Sequence, residues 1–193
     1  MLKTKIENIP EFLKKNAKWA VSVNGIPHSP ITDKPMYLGE EMTFDEVIKN
    51  VKDYEYLSFK VEENMADKSM GFIDLDAHNE EEEKLLKTLL SSFKRLFDSY
   101  MEVSKSGKGY HILVFTDIKE LYRVNANKIN DEKRCPIEYY TRGKWCTITG
   151  DIVDGRKEIK NNDEYLKQML SRFFSIREET NYDGCGVEEG EKI

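Results

Sequence analysis

The sequence is short of cysteine and has no long apolar run. Its three cysteines, Cys135, Cys146 and Cys185, are widely spaced and form no C-x-x-C pair. Such a set disfavours both a disulfide framework and a structural zinc site, so we expect a cytoplasmic protein. No stretch approaches the roughly 18 apolar residues of a membrane-spanning helix, and no apolar leader follows the first residues. We therefore expect neither a membrane partner nor secretion.

An excess of positive charge is also missing. The chain holds 30 lysines and arginines against 36 acids, a net charge of −6. This balance excludes a uniformly basic nucleic-acid-binding protein. Residues 178–193 carry six acids and one lysine, which predicts an acidic tail or linker. The remaining body is close to neutral and can hold a basic groove beside an acidic site.

Hydrophobic patterning predicts helices and strands that do not alternate strictly, which favours an α+β fold with mainly antiparallel strands. A first helix is expected after Pro10, and a proline-punctuated loop over residues 24–41. The other predicted helices are 44–51, capped by Thr43, 80–97 and 165–174. The predicted strands are 18–23, 56–61, 70–76, 100–104, 110–115, 136–140 and 145–149, the last two joined as a hairpin across 141–144.

Two acids close the apolar strand that begins at Met70. Asp74 and Asp76 are two residues apart, so their side chains point to the same face of a strand. Two neighbouring carboxylates repel each other unless a cation neutralises them, and oxygen ligands suit Mg²⁺ or Mn²⁺. The alternative is a strand that simply ends in solvated acids.

A glycine-rich turn follows the next predicted strand. Residues 104–111 read Ser-Lys-Ser-Gly-Lys-Gly-Tyr-His. Backbone N–H groups in such a turn can approach a phosphate closely, and Lys108 and His111 could add favourable contacts. The alternative is an ordinary hairpin loop with a half-buried histidine.

A third acid, Glu138, lies within an aromatic strand, where a lone carboxylate is costly. It could complete a three-carboxylate metal site with Asp74 and Asp76, while Arg142 and Lys144 in the following turn could contact phosphates. The alternative is a cross-strand salt bridge from Glu138 to a lysine or arginine.

The order of these features resembles the archaeo-eukaryotic primase superfamily, and within it the primase-polymerase domains of phages, plasmids and other mobile elements. The strand with D-x-D, the serine-glycine turn ending in histidine, and the E-x-Y strand before T-x-T-G carry the resemblance. Upstream, Lys18 to Val21, the loop at 25–30 and the helix start at 42–47 also match. Two positions depart from the family pattern: Gly25 replaces a lysine and Lys105 replaces a proline.

The resemblance implies specific roles. Asp74, Asp76 and Glu138 would be catalytic metal ligands for two Mg²⁺ or Mn²⁺ ions, and His111 would act beside them. The implied nucleotide contacts are Ser104, Ser106, Gly107, Lys108, Gly109, His111, Arg142 and Lys144. The implied fold is one catalytic domain over 1–177. It would comprise an N-terminal α/β unit (1–69) and an RRM-like unit (70–177), with the active-site cleft between them and 178–193 outside.

The resulting expectation is a template-dependent nucleotidyltransferase, a DNA primase or polymerase that adds dNTPs or NTPs to a 3′-hydroxyl. Its partners would be single-stranded template and primer DNA, and a downstream helical domain or a helicase. Two other readings stay open. One is a non-catalytic primase-like module that binds DNA at an origin; the other is a metal-dependent glycosyltransferase that uses Asp74 and Asp76.

Overall fold

The computed structural model describes residues 1–36, 41–128 and 134–177. Its helices are α1 (Glu11–Asn16), α2 (Phe44–Asn50), α3 (Glu80–Leu96) and α4 (Asp163–Phe173). Its strands are β1 (Trp19–Val23), β2 (Ile26–His28), β3 (Tyr56–Val61), β4 (Met70–Leu75), β5 (Met101–Val103), β6 (Tyr110–Phe115), β7 (Ile137–Tyr140), β8 (Lys144–Ile148) and β9 (Lys160–Asn161). The result is a mixed structure with mainly antiparallel sheets, compatible with the expected α+β class.

The first sheet has the order β2-β1-β3-β8 with every pair antiparallel. Strand β2 falls in the segment predicted as a loop, so that prediction was wrong at this point. Asn24 and Gly25 have φ values of 52° and 82°, which lets two residues close a tight hairpin between β1 and β2. The Asn-Gly dipeptide is itself a strong hairpin signal, and it outweighs the neighbouring prolines.

The second sheet has the order β5-β6-β4-β7, and β9 pairs with β6 in parallel. Along β4 the side chains alternate between two cores. Met70 and Phe72 pack towards the first sheet, whereas Ile73 and Leu75 join the core that includes residues of α3 and α4. The inner face of the second sheet therefore looks onto the first sheet, and helices cover its outer face.

The predicted hairpin of β7 with β8 is wrong. Strand β7 pairs with β4 and strand β8 pairs with β3, so residues 141–143 carry the chain from one sheet to the other. Each strand buries its apolar side chains in the core of the sheet that it joins: Ile137 and Tyr139 on the helix side of the second sheet, Cys146 and Ile148 between the sheets. Local turn signals predict a turn here but not which partner each strand takes.

The helices form for local reasons that the sequence displays. Thr43 and Glu46 form a reciprocal capping box at the start of α2, and the Asn79 side chain accepts a hydrogen bond from the Glu82 N–H at the start of α3. Leu86 and Phe93 on α3 are buried against the second sheet. This places the N-terminus of α3 next to the end of β4.

The described residues include no helix that is both long and apolar enough to span a membrane.

Strand β8 comes from the second half of the chain yet completes the first sheet. The division into units 1–69 and 70–177 stays a prediction, and the predicted tail, including Cys185, lies outside the described residues.

Candidate active site

Four ionisable residues form one row across the second sheet. Glu102 on β5 pairs with His111 on β6, His111 pairs with Asp74 on β4, and Asp74 pairs with Glu138 on β7. Directly paired residues on neighbouring strands project from the same face of a sheet. The four side chains therefore lie side by side on the face that looks onto the first sheet. Strand pairing brings three of the predicted catalytic residues together and adds Glu102.

The surroundings of Asp74 raise the pKa of its carboxyl. Its side chain is only 15% exposed, and burial raises the pKa of this carboxyl. His111 and Lys144 lower that pKa, while the carboxylates of Glu138 and Asp76 raise it further. The site thus disfavours the charged form of Asp74, and additional positive charge nearby would favour it.

Asp74 and Asp76 have little direct compensation. Within the described ranges, neither carboxylate accepts a hydrogen bond. The nearest nitrogen atoms of basic side chains are His111 Nε2 and Lys144 Nζ, 3.8 and 3.9 Å from Asp74, and His78 Nδ1, 3.6 Å from Asp76. Hard divalent cations bind carboxylate oxygens, and these oxygens, which accept no hydrogen bonds and lie beside other carboxylates, are suitable ligands.

Glu138 is held differently. Its two oxygens accept hydrogen bonds from Arg134 Nη2 at 3.0 Å and from the Tyr140 hydroxyl at 2.7 Å. Arg134 also donates to Glu82 Oε2 at 3.1 Å, so it joins α3 to β7. The alternative for Glu138 was a cross-strand salt bridge to a lysine or arginine. A salt bridge is present, but its partner Arg134 lies four residues earlier and not on a neighbouring strand. In the part of the chain that the structure describes, no three acidic, histidine or cysteine side chains converge as ligands of one ion. Glu138 faces Asp74 with each of its oxygens already accepting one hydrogen bond.

The glycine turn lies against the end of β4. A Cβ added to Gly109 would stand 2.5 Å from the Leu75 carbonyl oxygen and 3.4 Å from Asp76 Oδ1. The turn is already hydrogen-bonded: the N–H of Gly107 donates to the Ser104 carbonyl, and those of Lys108 and Gly109 donate to the hydroxyls of Ser106 and Ser104. The turn is therefore preformed beside Asp76, and its role as a phosphate cradle stays a prediction.

The predicted basic contacts occupy different places. Lys144 Nζ, on β8 of the first sheet, lies 3.9 Å from Asp74 and 3.3 Å from the Tyr140 hydroxyl, so it lies against the row. Lys108 forms a 2.7 Å ion pair with Glu83 at the start of α3, and Arg142 forms a 3.2 Å pair with Glu63. Of these three side chains, only that of Lys144 contacts the acidic row.

Glu102 and Arg134 are the site residues that the sequence interpretation missed. Glu102 is fully buried and its Oε1 lies 2.8 Å from His111 Nδ1. A charged residue between Met101 and Val103 in a buried strand was the available signal, the same signal that singled out Glu138. Arg134 gave no signal, because it precedes β7 in an irregular segment where spacing predicts no contact.

The protonation of His111 follows from its surroundings. Burial by itself lowers the pKa of this imidazole, but Cys146 and the Glu102 carboxylate raise it well above its usual value. Because burial also raises the pKa of the Cys146 thiol, the negative partner is Glu102. The row thus contains a histidine backed by a buried carboxylate.

No protein-family model matches the chain. Over 92 residues, 48% of its length, the chain is 34% identical to a protein called "DNA Primase-polymerase" from Nitratiruptor phage NrS-1. The match spans only 12% of the length of that relative. This similarity supports a partial relationship with primase-polymerases.

Proposed function

We propose that this chain is a template-dependent nucleotidyltransferase of the primase-polymerase type, which adds dNTPs or NTPs to a 3′-hydroxyl during replication of a phage, plasmid or other mobile element. The observation that carries the proposal is the row of His111, Asp74 and Glu138, with Asp76 and the glycine turn at its end. The similarity to a phage primase-polymerase supports the same function.

The acidic part of the row has the donor chemistry for the cations of nucleotidyl transfer. Asp74 and Asp76 would hold Mg²⁺ or Mn²⁺, and Glu138 would join them. When bound, these ions lower the pKa of the attacking hydroxyl and neutralise charge on the phosphates. The raised pKa of Asp74 supports this assignment, because a bound cation would restore the charged form.

His111 in the row and Lys144 beside it would bind the triphosphate. His111 and Lys144 lie on either side of Asp74, where they could hold phosphate oxygens and stabilise the charge that develops as pyrophosphate leaves. Ser104, Ser106 and the N–H groups of Gly107, Lys108 and Gly109 would exchange their present hydrogen bonds for contacts to phosphate. Lys108 and Arg142 would first have to leave Glu83 and Glu63.

The template would be single-stranded DNA, and the primer would be the strand paired with it that carries the 3′-hydroxyl. Contacts from lysine and arginine to the DNA backbone make such binding weaken as salt rises. A downstream helical domain or a helicase would be a further partner, supplied by the same or another chain. The DNA and this protein partner are both part of the proposal.

Primer extension tests the proposed function. A labelled primer on a single-stranded template would be incubated with Mg²⁺ or Mn²⁺ and dNTPs or NTPs, using the unaltered chain, Asp74→Ala and Asp76→Ala. Asp117→Ala is the matched control, because Asp117 is exposed and outside the row. Extension by the unaltered chain and the control that vanishes in both site variants would support the proposal.

Extension that persists in Asp74→Ala and Asp76→Ala would refute the assigned site. A folded chain that binds single-stranded DNA but extends no primer, with or without added helical domain, would identify the non-catalytic module instead. Omitting the primer separates priming from extension.

A further inference from the structure

Glu102 is a fully buried carboxylate with an unusually complete set of partners. Its Oε2 lies 2.7 Å from the Gly150 N–H nitrogen, 3.0 Å from that of Thr149 and 2.7 Å from the Tyr100 hydroxyl. Its Oε1 faces His111 Nδ1 at 2.8 Å and the Thr149 nitrogen at 3.2 Å. Buried polar groups are costly unless satisfied, and this one is satisfied by groups from three separate segments.

The partners of Glu102 determine which nitrogen of His111 carries a proton. The backbone N–H groups of Thr149 and Gly150 can only donate, and burial raises the pKa of Tyr100, so its hydroxyl keeps its proton and donates as well. Oε2 therefore accepts all three of these hydrogen bonds, and Oε1 of the same carboxylate, having no proton, can only accept as well. His111 Nδ1, hydrogen-bonded to that acceptor, must be the donor.

The remaining contacts fix the orientation of the His111 ring. The Phe72 ring lies edge-on at 5.3 Å between centroids, and Cys146 Sγ is 3.8 Å from Nδ1. With Nδ1 held by Glu102, the opposite nitrogen, Nε2, faces Asp74 Oδ1 at 3.8 Å. The imidazole is thus held at one end by a buried carboxylate and presents its other end to the acidic row.

We propose that Glu102 is a positioning residue that holds His111 through Nδ1–H and presents Nε2 to the triphosphate of the incoming nucleotide. The proposal rests on the proposed function for its substrate, and on the strand pairing and hydrogen bonds for its geometry. A carboxylate behind a functional histidine fixes which ring nitrogen keeps its proton towards it and fixes the ring orientation. Glu102 does this without touching substrate.

The substitution Glu102→Gln tests the idea sharply because its outcome is determined by the same partners. Three donors converge on Oε2, so the glutamine oxygen would take that place and the NH₂ group would face His111. An NH₂ group donates to Nδ1 only when that nitrogen carries no proton. The variant therefore reverses the protonation of the ring, whereas Tyr100→Phe removes one donor to Oε2 and leaves His111 unaltered.

The first measurement is ¹⁵N NMR of the histidine rings, with His111 assigned by comparison with His111→Asn. The unaltered chain should show a protonated Nδ1 in a strong hydrogen bond, Tyr100→Phe should keep it, and Glu102→Gln should lose it. An Nδ1 without a proton in the unaltered chain, or one unchanged in Glu102→Gln, would overturn the proposal. The measurement needs no catalytic activity, so a failure of the proposed function does not obscure it.

The second measurement is nucleotide incorporation in a double-mutant cycle. Glu102→Gln should lower kcat about 10- to 100-fold, the loss typical when the hydrogen-bond partner behind a metal-binding histidine is altered, with a smaller change in KM. In a His111→Asn background the same substitution should have no further effect on kcat. An equal loss in both backgrounds would show that Glu102 acts only through the fold and would overturn the proposal. Absence of extension by the unaltered chain would overturn the proposed function and leave the NMR result to decide the geometry.

Discussion

Asp74 and Glu138 stand directly opposite each other on β4 and β7, with both carboxylates on the same face of the sheet. Like charges in directly opposed positions destabilise a sheet unless nearby cations compensate. Arg134 binds Glu138 at 3.0 Å, and Lys144 lies 3.9 Å from Asp74. The sheet therefore tolerates two facing acids by drawing one cation to each, and the pair is poised to gain stability from added positive charge.

Asp74→Asn should separate activity from stability. Burial and the neighbouring carboxylates raise the pKa of Asp74, because both make its charged form costly. Asparagine carries no charge and avoids that cost, so the melting temperature should stay the same or rise. Primer extension should fall at least about 100-fold, because Asp74 is a proposed metal ligand. Melting curves and extension rates check this, with Asp117→Asn as the control that should change neither. A clear drop in melting temperature would show that the charge of Asp74 stabilises the fold.

Arg134→Gln should destabilise the protein far more than Arg142→Gln. Arg134 donates to Glu82 and Glu138 from a side chain that is 30% exposed, so its loss strands two acids, at about 1–3 kcal/mol. Arg142 and Glu63 are both more than half exposed, and such a pair contributes less than about 1 kcal/mol. Urea denaturation of both variants measures the difference. Equal effects would contradict a structural role for Arg134.

Lys144→Met should weaken nucleotide binding. Lys144 is the predicted phosphate contact that already lies beside Asp74, and losing one charge-assisted hydrogen bond should raise KM for dNTP about tenfold. Lys119→Met serves as the control, because Lys119 is exposed and contacts Ser69 away from the row. The kinetics of single-nucleotide incorporation give KM for each variant. An unchanged KM in Lys144→Met would remove Lys144 from the site.

Gly109→Ala should displace the glycine turn. The new Cβ would meet the Leu75 carbonyl oxygen at 2.5 Å, and this backbone atom cannot move without distorting β4, so we expect a cost of about 2 kcal/mol or more. Gly107→Ala is the matched control in the same turn: nothing lies within 4 Å, and its φ of +74° costs about 1 kcal/mol. Denaturation and dNTP binding should both suffer more at Gly109. Equal losses would mean that close approach to β4 is unimportant.

Glu41→Gln should destabilise the protein at neutral pH but not in acid. Lys60 and then Lys18 lower the pKa of Glu41 below its ordinary 4.5, so the folded state binds this proton more weakly than the unfolded state. The stabilisation is present above pH 4.5 and is lost as the pH falls through the lower folded pKa. Melting temperatures of variant and unaltered chain should therefore converge below pH 4.5.

Glu55→Gln is the control for that experiment. Lys3 also lowers the pKa of Glu55, but both side chains are more than half exposed, so solvent screens the pair. We expect a smaller difference at pH 7 than for Glu41→Gln, in which Glu41 and Lys60 are each less than one-fifth exposed. A gap between Glu41→Gln and the unaltered chain that stays constant from pH 7 to pH 3 would show that the charge of Glu41 is irrelevant.

Most elements were predictable because their signals are local. The capping box of Thr43 and Glu46, and the apolar side of α3 with Leu86 and Phe93, depend on residues within a few positions of one another. The partners of β7 and β8 were not predictable, because pairing depends on which core each strand can enter. A turn between two strands is compatible with a hairpin and with a crossing between sheets.

The sequence by itself determined the chemistry of the site: Asp74 and Asp76 at one strand end, a glycine turn before His111, and Glu138 in an aromatic strand. Only the tertiary structure decided which of these side chains contact one another. Pairing across four strands aligned Glu102, His111, Asp74 and Glu138, and packing of α3 beside β7 brought Glu82 to Arg134. Residue type and spacing govern local geometry, whereas contacts between distant segments arise only when buried surfaces choose their partners.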